Sequence, residues 1–455
     1  MSAIYEKVFR HVLFPLYEGG MRGRKTLRYL AEYERNQWLA PEQIAELQWR
    51  KLKTLLEHCY REVPYYRRRW NEIGATPADI RTPADYARLP VLTKADIRAN
   101  FEELAAESWR GRILYKATGG STGEPLRFGF TRESNERRAA VMWRGYAWAG
   151  ARMGRRTLYL WGGAVGNPGR KQLLKDRFYH AVFGRRMIDS FPMSESNMAD
   201  YADAIDAYRP EVIVAYVGPL VRLAEWMLAT GRKVHRPQAI LGGAEALLDY
   251  QREIIERAFG APAYNTYGCR EFMLIATECE HRDGLHVNTD HLVVEAGTAA
   301  DSTAADVVIT DLHNYGMPFI RYQNGDLATP ASGACACGRG LPRLQRVDGR
   351  KLDAIRTRSG HILPGEFFPH MLKDIRGIQR FQVVQRSLDT LDISIVRGPG
   401  FDDSGLDYAR REIAKVIGDA VEIRFHTVDE IATGANGKFR VTVSALDAGE
   451  RSGHP

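Results

Sequence analysis

Apolar positions along the chain follow two rhythms. Behind Pro41, a residue suited to a first helical turn, Leu47, Leu52, Leu55 and Leu56 recur at helical spacing. That spacing predicts helix over residues 41–73, interrupted at Val63-Pro64-Tyr65-Tyr66. Residues 155–165 (Arg-Arg-Thr-Leu-Tyr-Leu-Trp-Gly-Gly-Ala-Val) instead read as a buried strand that runs into a glycine turn. Val212–Tyr216 ahead of Gly218, and Ala239–Leu241 ahead of Gly242-Gly243, repeat that logic. Between these runs lie helical patterns at Asn197 to Tyr208 and Leu220 to Thr230. Strands alternating with helices imply βαβ units, with ligands held at the C-terminal ends of the strands.

From about residue 286 the runs become shorter and richer in β-branched residues, as in Val307-Val308-Ile309-Thr310 and Phe319-Ile320-Arg321-Tyr322. Beyond Gly349 a separate α+β pattern follows. It predicts strands near 378–385 and 391–396, a helix near 405–417 and a strand at 421–427. The reading is therefore an α/β protein with two domains. A large N-terminal domain of mixed sheets with helices spans 1–348, and a small α+β domain spans 349–455.

The length of 455 residues fits that division, because it exceeds what one hydrophobic core usually holds. The net charge of +8 comes from 64 basic and 56 acidic residues, which are interspersed. The pattern is that of a basic surface with pockets for phosphorylated ligands, and no nucleic-acid partner is expected. No apolar run approaches the roughly 20 residues that span a bilayer, and the charged N-terminus lacks a signal-peptide cleavage site. Cytoplasmic residence is the expectation. Ile4, Val8, Phe9, Val12, Leu13 and Leu16 form an amphipathic stretch, followed by four basic residues between Met21 and Arg28. The stretch is expected to dock on the protein's own body, with peripheral contact to a membrane surface as the alternative. Five cysteines, an odd number, argue against a disulfide framework.

Five short motifs carry candidate chemistry. Thr118-Gly119-Gly120-Ser121-Thr122-Gly123-Glu124-Pro125 combines bare backbone with hydroxyl donors, which suits phosphate oxygens, although it lacks the Lys-Ser/Thr of a P-loop. Tyr264-Asn265-Thr266-Tyr267-Gly268-Cys269-Arg270-Glu271 follows the strand-to-turn segment Gly242-Gly243-Ala244-Glu245. It places an aromatic beside glycine, suited to a purine, and a carboxylate suited to a divalent cation. In Arg321-Tyr322-Gln323-Asn324-Gly325-Asp326, a carboxylate just past a glycine turn can accept both hydroxyls of a ribose. Gly349-Arg350-Lys351-Leu352-Asp353, continuing to Gly360–Glu366, reads as a charged segment between domains. Gly434-Ala435-Asn436-Gly437-Lys438-Phe439-Arg440 offers a lysine on a glycine-flanked loop, which domain closure can bring onto a reacting carboxylate and phosphate.

Each motif alone is as easily a surface turn, a salt-bridged carboxylate or a linker. Taken in order, the set resembles the adenylate-forming superfamily of acyl-CoA synthetases, peptide-synthetase adenylation domains and luciferases, and most of all the phenylacetate–CoA ligase/CapK branch. The entry segment Leu52 to Tyr66 is similar to that branch too, so the resemblance covers nearly the whole chain. It implies a mobile C-terminal lid and an ATP-dependent ligase that forms an acyl-adenylate. Ser121, Thr122 and Gly123 would cradle the ATP phosphates, Tyr267 would pack on adenine, and Asp326 would bind the ribose. Gly243, Ala244 and Gly268 would complete the nucleotide site. Glu271 would hold Mg²⁺, Arg350 would contact ribose or phosphate near the hinge, and Lys438 would bridge the carboxylate and the α-phosphate. Coenzyme A is the implied acyl acceptor, with an amine, or AMP transfer to a hydroxyl, as alternatives. Leu126 stands where the family's phosphate loop often has lysine, and Leu352 where its hinge is often acidic, with Asp353 one further on.

The acid would sit among Trp161, Tyr216, Gly218, Gly242, Gly243 and Tyr264. Aromatics there suit a flat aryl acid or simply pack the core. A second metal site is also legible. Cys335-x-Cys337, with Cys279 and either His281 or His286, would supply four tetrahedral ligands for a structural Zn²⁺. The resembling branch has a Cys…Gly-Leu-His…Cys-x-Cys-Gly-Arg arrangement, which favours His286.

Overall fold

The computed structural model describes residues 3–118, 126–161, 179–190, 192–297, 304–350, 355–356, 362–363, 368, 372, 375, 377–417, 421–431 and 441–446. The chain divides into two compact units. One comprises Met1–Thr303, Val307–Asn324 and Thr329–Arg346; the other comprises Ala304–Asp306, Gly325–Ala328 and Val347–Pro455.

The first strands, β1 (Leu114–Ala117) and β2 (Arg127–Phe130), pair as an antiparallel hairpin. Eleven strands then make the principal sheet: β3 (Thr157–Trp161), β4 (Arg185–Asp189), β5 (Val212–Tyr216), β6 (Ala239–Gly243), β7 (Ala263–Cys269), β8 (Met273–Glu278), β9 (Leu285–Val287), β10 (Leu292–Glu295), β11 (Ala305–Asp311), β12 (Tyr322–Pro330) and β13 (Arg343–Arg350). Their spatial order is β10-β11-β12-β13-β9-β8-β7-β6-β5-β3-β4. Strands β4, β3, β5, β6 and β7 run parallel, and the direction reverses at β8. The α/β class expected from the alternation is therefore the one observed.

The apolar runs are continuous because these parallel strands are covered on both faces. Leu158, Leu160, Ile213, Ala215 and Ile240 pack under the helices Met198–Tyr208, Val217–Thr230 and Asp249–Phe259. Val212, Val214, Ala239 and Leu241 point the other way, against Ala149 and Ala151 at the end of helix Arg132–Trp148. The predicted helix of residues 41–73 forms as Pro41–Glu62 and Pro64–Glu72. Val63 between them is extended (φ −115°, ψ 103°), the conformation a residue before proline prefers. The predicted run at 319–322 becomes strand only from Tyr322, because Arg321 is left-handed (φ 51°) while its guanidinium pairs with Glu295.

The N-terminal stretch differs from its helical reading in an instructive way. It is helical over Ala3–Val8, with π-helical turns at Phe9–Leu13 and Leu16–Met21. It docks through Tyr5, Phe9, Phe14 and Tyr17, which pack around Phe183 and Tyr179. Of the six apolar residues picked out by pattern, only Phe9 is buried; Ile4, Val8, Val12, Leu13 and Leu16 are exposed. Hydrogen bonding from i to i+5 widens the turn, so the buried positions Phe9, Phe14 and Glu18 recur at intervals of five and four residues rather than at 3.6.

Helix Arg132–Trp148 is fixed by buried charge. Arg144, 1% exposed, donates to both carboxylate oxygens of Asp290 (2.7 and 2.9 Å), to Asn288 Oδ1 (2.6 Å) and to the Tyr33 carbonyl (3.0 Å). One turn and a half earlier, Arg138 pairs with buried Asp311 at 2.7 Å.

The second unit holds its own core. It contains β14 (Ile355–Arg356), β15 (Ile362–Leu363), β16 (Ile378–Ser387), β17 (Thr390–Arg397), β18 (Glu422–Thr427) and β19 (Thr442–Ser444). The last four form a sheet in the order β18-β17-β16-β19. Val383, Leu391, Ile393 and Ile395 from the sheet pack with Ala409 and Ile413 of helix Ser404–Ile417, and with Phe368 and Leu372.

Because removing one partner strands a buried charge, Arg144→Leu is expected to destabilise the first unit by about 3–5 kcal/mol. The double variant Arg144→Leu/Asp290→Leu should recover a large part of that loss. Chemical denaturation, read as the shift in midpoint for each variant, checks both.

Candidate functional site

Parallel register brings four strand ends together. Leu160 pairs with Ala215, Tyr216 with Gly243, and Gly242 with Asn265, so the C-terminal ends of β3, β5, β6 and β7 lie side by side. A crevice at such ends is where open α/β sheets bind ligands. On one face the strands present Trp161, Tyr216, Gly243 and Thr266, with Tyr264 one step further down its strand. The Trp161 and Tyr216 rings lie 4.2 Å apart, tilted by 50°. A Cβ on Gly243 would sit 3.0 Å from Thr266 Oγ1 and 3.5 Å from the Trp161 ring, so glycine keeps this spot open. Trp161 and Tyr264 also rest on the cluster built from Val214 and Leu241, so each serves as core and as wall.

Gly242 is turned the other way. A Cβ there would meet Val217 Cγ2 at 3.1 Å and the Leu247 side chain, which makes it a packing glycine under the helix layer rather than a lining residue of the aromatic face. Gly218 opens the helix Val217–Thr230, and its N–H donates to Glu245 Oε2 at 2.6 Å. Between Gly243 and Glu245, Ala244 holds a left-handed φ of 66°. A non-glycine residue in that region is held there by its surroundings, and such positions cluster at functional sites.

The β7–β8 turn carries the second group. Gly268 lies at a β-bulge, and a Cβ on it would come within 2.0 Å of the Met273 carbonyl oxygen, so no other residue fits without moving backbone. Tyr267, just before it, is buried and receives a hydrogen bond on its hydroxyl from Asn324 Nδ2 at 2.8 Å. Glu271 is buried and accepts from the Tyr322 hydroxyl at 3.0 Å. Among the described residues no Lys or Arg pairs with it, an arrangement that costs free energy unless a cation completes it. Sequence reading named Gly218, Tyr267 and Glu271 but gave no role to Glu245, Asn324 or Tyr322, whose hydrogen bonds hold these three in turn. The last two stand in the Arg321–Asp326 motif itself, which was the available signal.

Ser121, Thr122, Gly123 and Lys438 lie outside the described residues. The segment that holds the first three joins β1 to β2, where the Thr118 N–H donates to the Leu126 carbonyl and the Leu126 N–H to Thr118 Oγ1, each at 2.9 Å. Arg350 ends β13. Asp326 was read as following a turn; it stands, half-buried, inside the nine-residue strand β12, where Gly325 (φ 90°) marks a local irregularity.

Cys279, His286, Cys335 and Cys337 form a separate cluster, their ligand atoms all within 4.8 Å of one another. Cys279 Sγ lies 3.7 Å from Cys335 Sγ, and Cys337 Sγ lies 3.3 Å from His286 Nε2. A tetrahedron with zinc–sulfur bonds of about 2.3 Å has sulfur–sulfur edges of roughly 3.8 Å, so the spacing fits. His281 is not in the group. His286 Nδ1 lies 3.1 Å from the Leu341 carbonyl, which leaves Nε2 facing the thiols. Burial pushes the imidazole down to about 4 and keeps it neutral, the form that ligates. Burial likewise pushes the Cys279 thiol up to about 12. For Cys337 burial also works upward, but hydrogen bonds from the Arg339 backbone and side chain outweigh it and hold the thiol below its ordinary value.

Residues 355–445 match the family described as the CapK C-terminal domain. The chain is 29% identical over 372 residues to phenylacetate-coenzyme A ligase of Thermus thermophilus, covering 78% of this chain and 81% of that protein. It is 22% identical over 437 residues to protein CapK of Staphylococcus aureus, covering 94% of each. In fold it is similar to 2-hydroxyisobutyryl-CoA ligase in its postadenylation state, with a TM-score of 0.71 at 20% identity over 92% of this chain and 93% of that one. These likenesses cover most of the chain, the small C-terminal unit included, and make it similar in sequence to phenylacetate-coenzyme A ligases and CapK and in fold to an acyl-CoA ligase, as the order of its motifs implied.

Proposed function

We propose that this protein is an ATP-dependent, AMP-forming acid–CoA ligase: it activates a carboxylic acid as the acyl-adenylate and passes the acyl group to coenzyme A. The observation that carries this reading is the crevice at the ends of β3, β5, β6 and β7, open at Gly243 and flanked by the buried Tyr267–Glu271 turn. The motif order and the similarity to phenylacetate-coenzyme A ligases over most of the chain support it.

In the first half-reaction a carboxylate oxygen attacks the α-phosphorus of ATP and pyrophosphate leaves. In the second, the coenzyme A thiol attacks the acyl carbon and AMP leaves. The protein's part is positioning and charge stabilisation. Trp161 and Tyr216 bound the space for the acid, and their paired rings favour a flat, aryl substrate. Ser121, Thr122 and Gly123 bind the phosphates, Tyr267 takes the adenine side, and Asp326 and Arg350 take the ribose. Gly243, Ala244 and Gly268 let the backbone approach the nucleotide. Lys438, in the glycine-flanked motif near the end of the chain, meets the charge that develops between carboxylate and α-phosphate, and the small domain acts as a lid that moves between the two half-reactions. Glu271 would hold Mg²⁺, whose charge offsets that of the phosphates.

We also infer that Cys279, His286, Cys335 and Cys337 bind one structural Zn²⁺. With four protein donors the site is closed, so its role is to tie the end of β8, β9 and the segment before β13 together rather than to do chemistry.

ATP–pyrophosphate exchange with Mg²⁺ across a panel of aryl, aliphatic and amino acids, without coenzyme A, tests the first half-reaction. Exchange with aryl acids is expected to exceed the rest, and silence across the panel would overturn the proposal. Lys438→Ala should lower exchange by at least about 100-fold with ATP binding and circular dichroism preserved. Unchanged exchange would remove the lysine from the mechanism.

Elemental analysis should find about one zinc per chain. Cys337→Ser is expected to weaken zinc binding by more than about 100-fold, the upper end of the range for losing merely an outer-shell partner, and to lower the thermal transition. Metal-free protein with the stability of the purified form would refute the zinc site.

A further inference from the structure

The N-terminal helix has two faces of opposite character. The inner face is fastened by aromatic packing of Phe9 and Phe14 on Phe183, by Tyr5 donating to the Val182 carbonyl at 2.6 Å, and by Glu6 pairing with Arg155. The outer face carries Ile4 (72% exposed), Val8, Val12, Leu13, Leu16 (61%) and Met21 (80%), recurring along the same widened turn. These are six of the thirteen large apolar side chains exposed among the described residues, gathered on one short helix. A stripe of that kind on an anchored helix is an interaction surface.

Charge identifies the partner. Lys7, Arg22, Lys25 and Arg28 are exposed in the same segment. Both of its acids are taken inward: Glu18 is buried and pairs with Arg24 and Thr26, and Glu6 is half-buried against Arg155. Among the described residues up to Arg28, therefore, none of the exposed side chains is acidic. Exposed apolar residues with exposed cations in the same segment, and anions withdrawn, complement the acyl–headgroup boundary of an anionic bilayer. Among the described residues no helix is long and apolar enough to cross a membrane, so the segment would lie in the interface.

We propose that the outer face of Ala3–Met21 seats the enzyme on anionic lipid surfaces, its apolar stripe entering the headgroup boundary and Lys7, Arg22, Lys25 and Arg28 contacting the headgroups. Aryl and other amphiphilic acids partition into that same layer, so the site would draw its substrate from an enriched phase.

The test is sedimentation of the full chain with vesicles of phosphatidylglycerol mixed with phosphatidylcholine, and of phosphatidylcholine alone. Binding to the anionic vesicles should exceed binding to the neutral ones by at least about tenfold and weaken with salt. The variant Ile4→Ser/Leu16→Ser/Met21→Ser, at exposed positions, should keep its thermal transition and lose at least about tenfold in binding. Lys7→Gln/Lys25→Gln/Arg28→Gln should weaken binding and flatten its salt dependence. Indifference to both vesicle types overturns the proposal. So does undiminished binding of the apolar variant, which would reduce the effect to charge attraction. Self-association of the wild type that the apolar variant abolishes would assign the stripe to a second copy of the chain and also overturn it.

Discussion

A guanidinium removed from water must find anionic and carbonyl partners, and Arg144 finds them in segments that lie far apart in sequence. Tyr33 comes from a helix near the N-terminus, and Asn288 and Asp290 from the turn between β9 and β10. Lys51 and Gln48 reach the same turn from a third helix, through the carbonyls of Asp290, Thr289 and Leu292. None of these helices can shift without breaking bonds that the interior cannot replace with water. The next residue, Gly145, lets the helix approach the sheet so closely that a Cβ would lie 2.5 Å from Leu274 of β8. The hairpin that presents Tyr267 and Glu271 is therefore backed by a helix fixed through charge, which keeps the site on rigid elements.

The parallel half of the sheet was legible because burial on both faces writes itself as an uninterrupted apolar run. Val212–Tyr216 and Ala239–Leu241 could be little else once each was followed by glycine. The break between the two early helices was equally plain, since Pro64 constrains Val63. The small C-terminal unit was legible for a similar reason: its strands alternate cleanly and its helix is amphipathic. What periodicity could not show was winding. A π-helical segment obeys a different repeat from the one used to read it, so the N-terminal stretch docks on the protein's own body as expected but chiefly through aromatics outside the apolar pattern. Arg321 was lost for a different reason, because a left-handed residue held by a distant carboxylate leaves no mark in a β-branched run.

The candidate site could be read as a set of residue types in order, and less so as geometry. Motif spacing singled out Tyr267 and Glu271 as candidates, but their hydrogen-bond partners Asn324 and Tyr322 come from a strand 51 to 57 residues away, a relation that only folding creates. Adjacent glycines 242 and 243 looked equivalent in sequence. The pleat sends their Cα atoms to opposite faces, so one admits a helix and the other leaves open the floor beside Trp161. The cysteines were a different case: Cys279, Cys335 and Cys337 do lie together with His286, but spacing alone left His281 and His286 open and it was the resemblance that favoured the second.

The order of strands in the large sheet also bears on how the chain is made. Strand β13, the last of the eleven to be synthesised, is not at an edge: it sits between β12 and β9 and joins the two runs of the sheet. Until about residue 350 has left the ribosome, β9 and β12 each present an open row of backbone donors and acceptors. The nascent protein thus passes through a stage in which most of its strands exist and its sheet cannot yet close, and during that interval those two edges are open to pairing with a neighbouring chain.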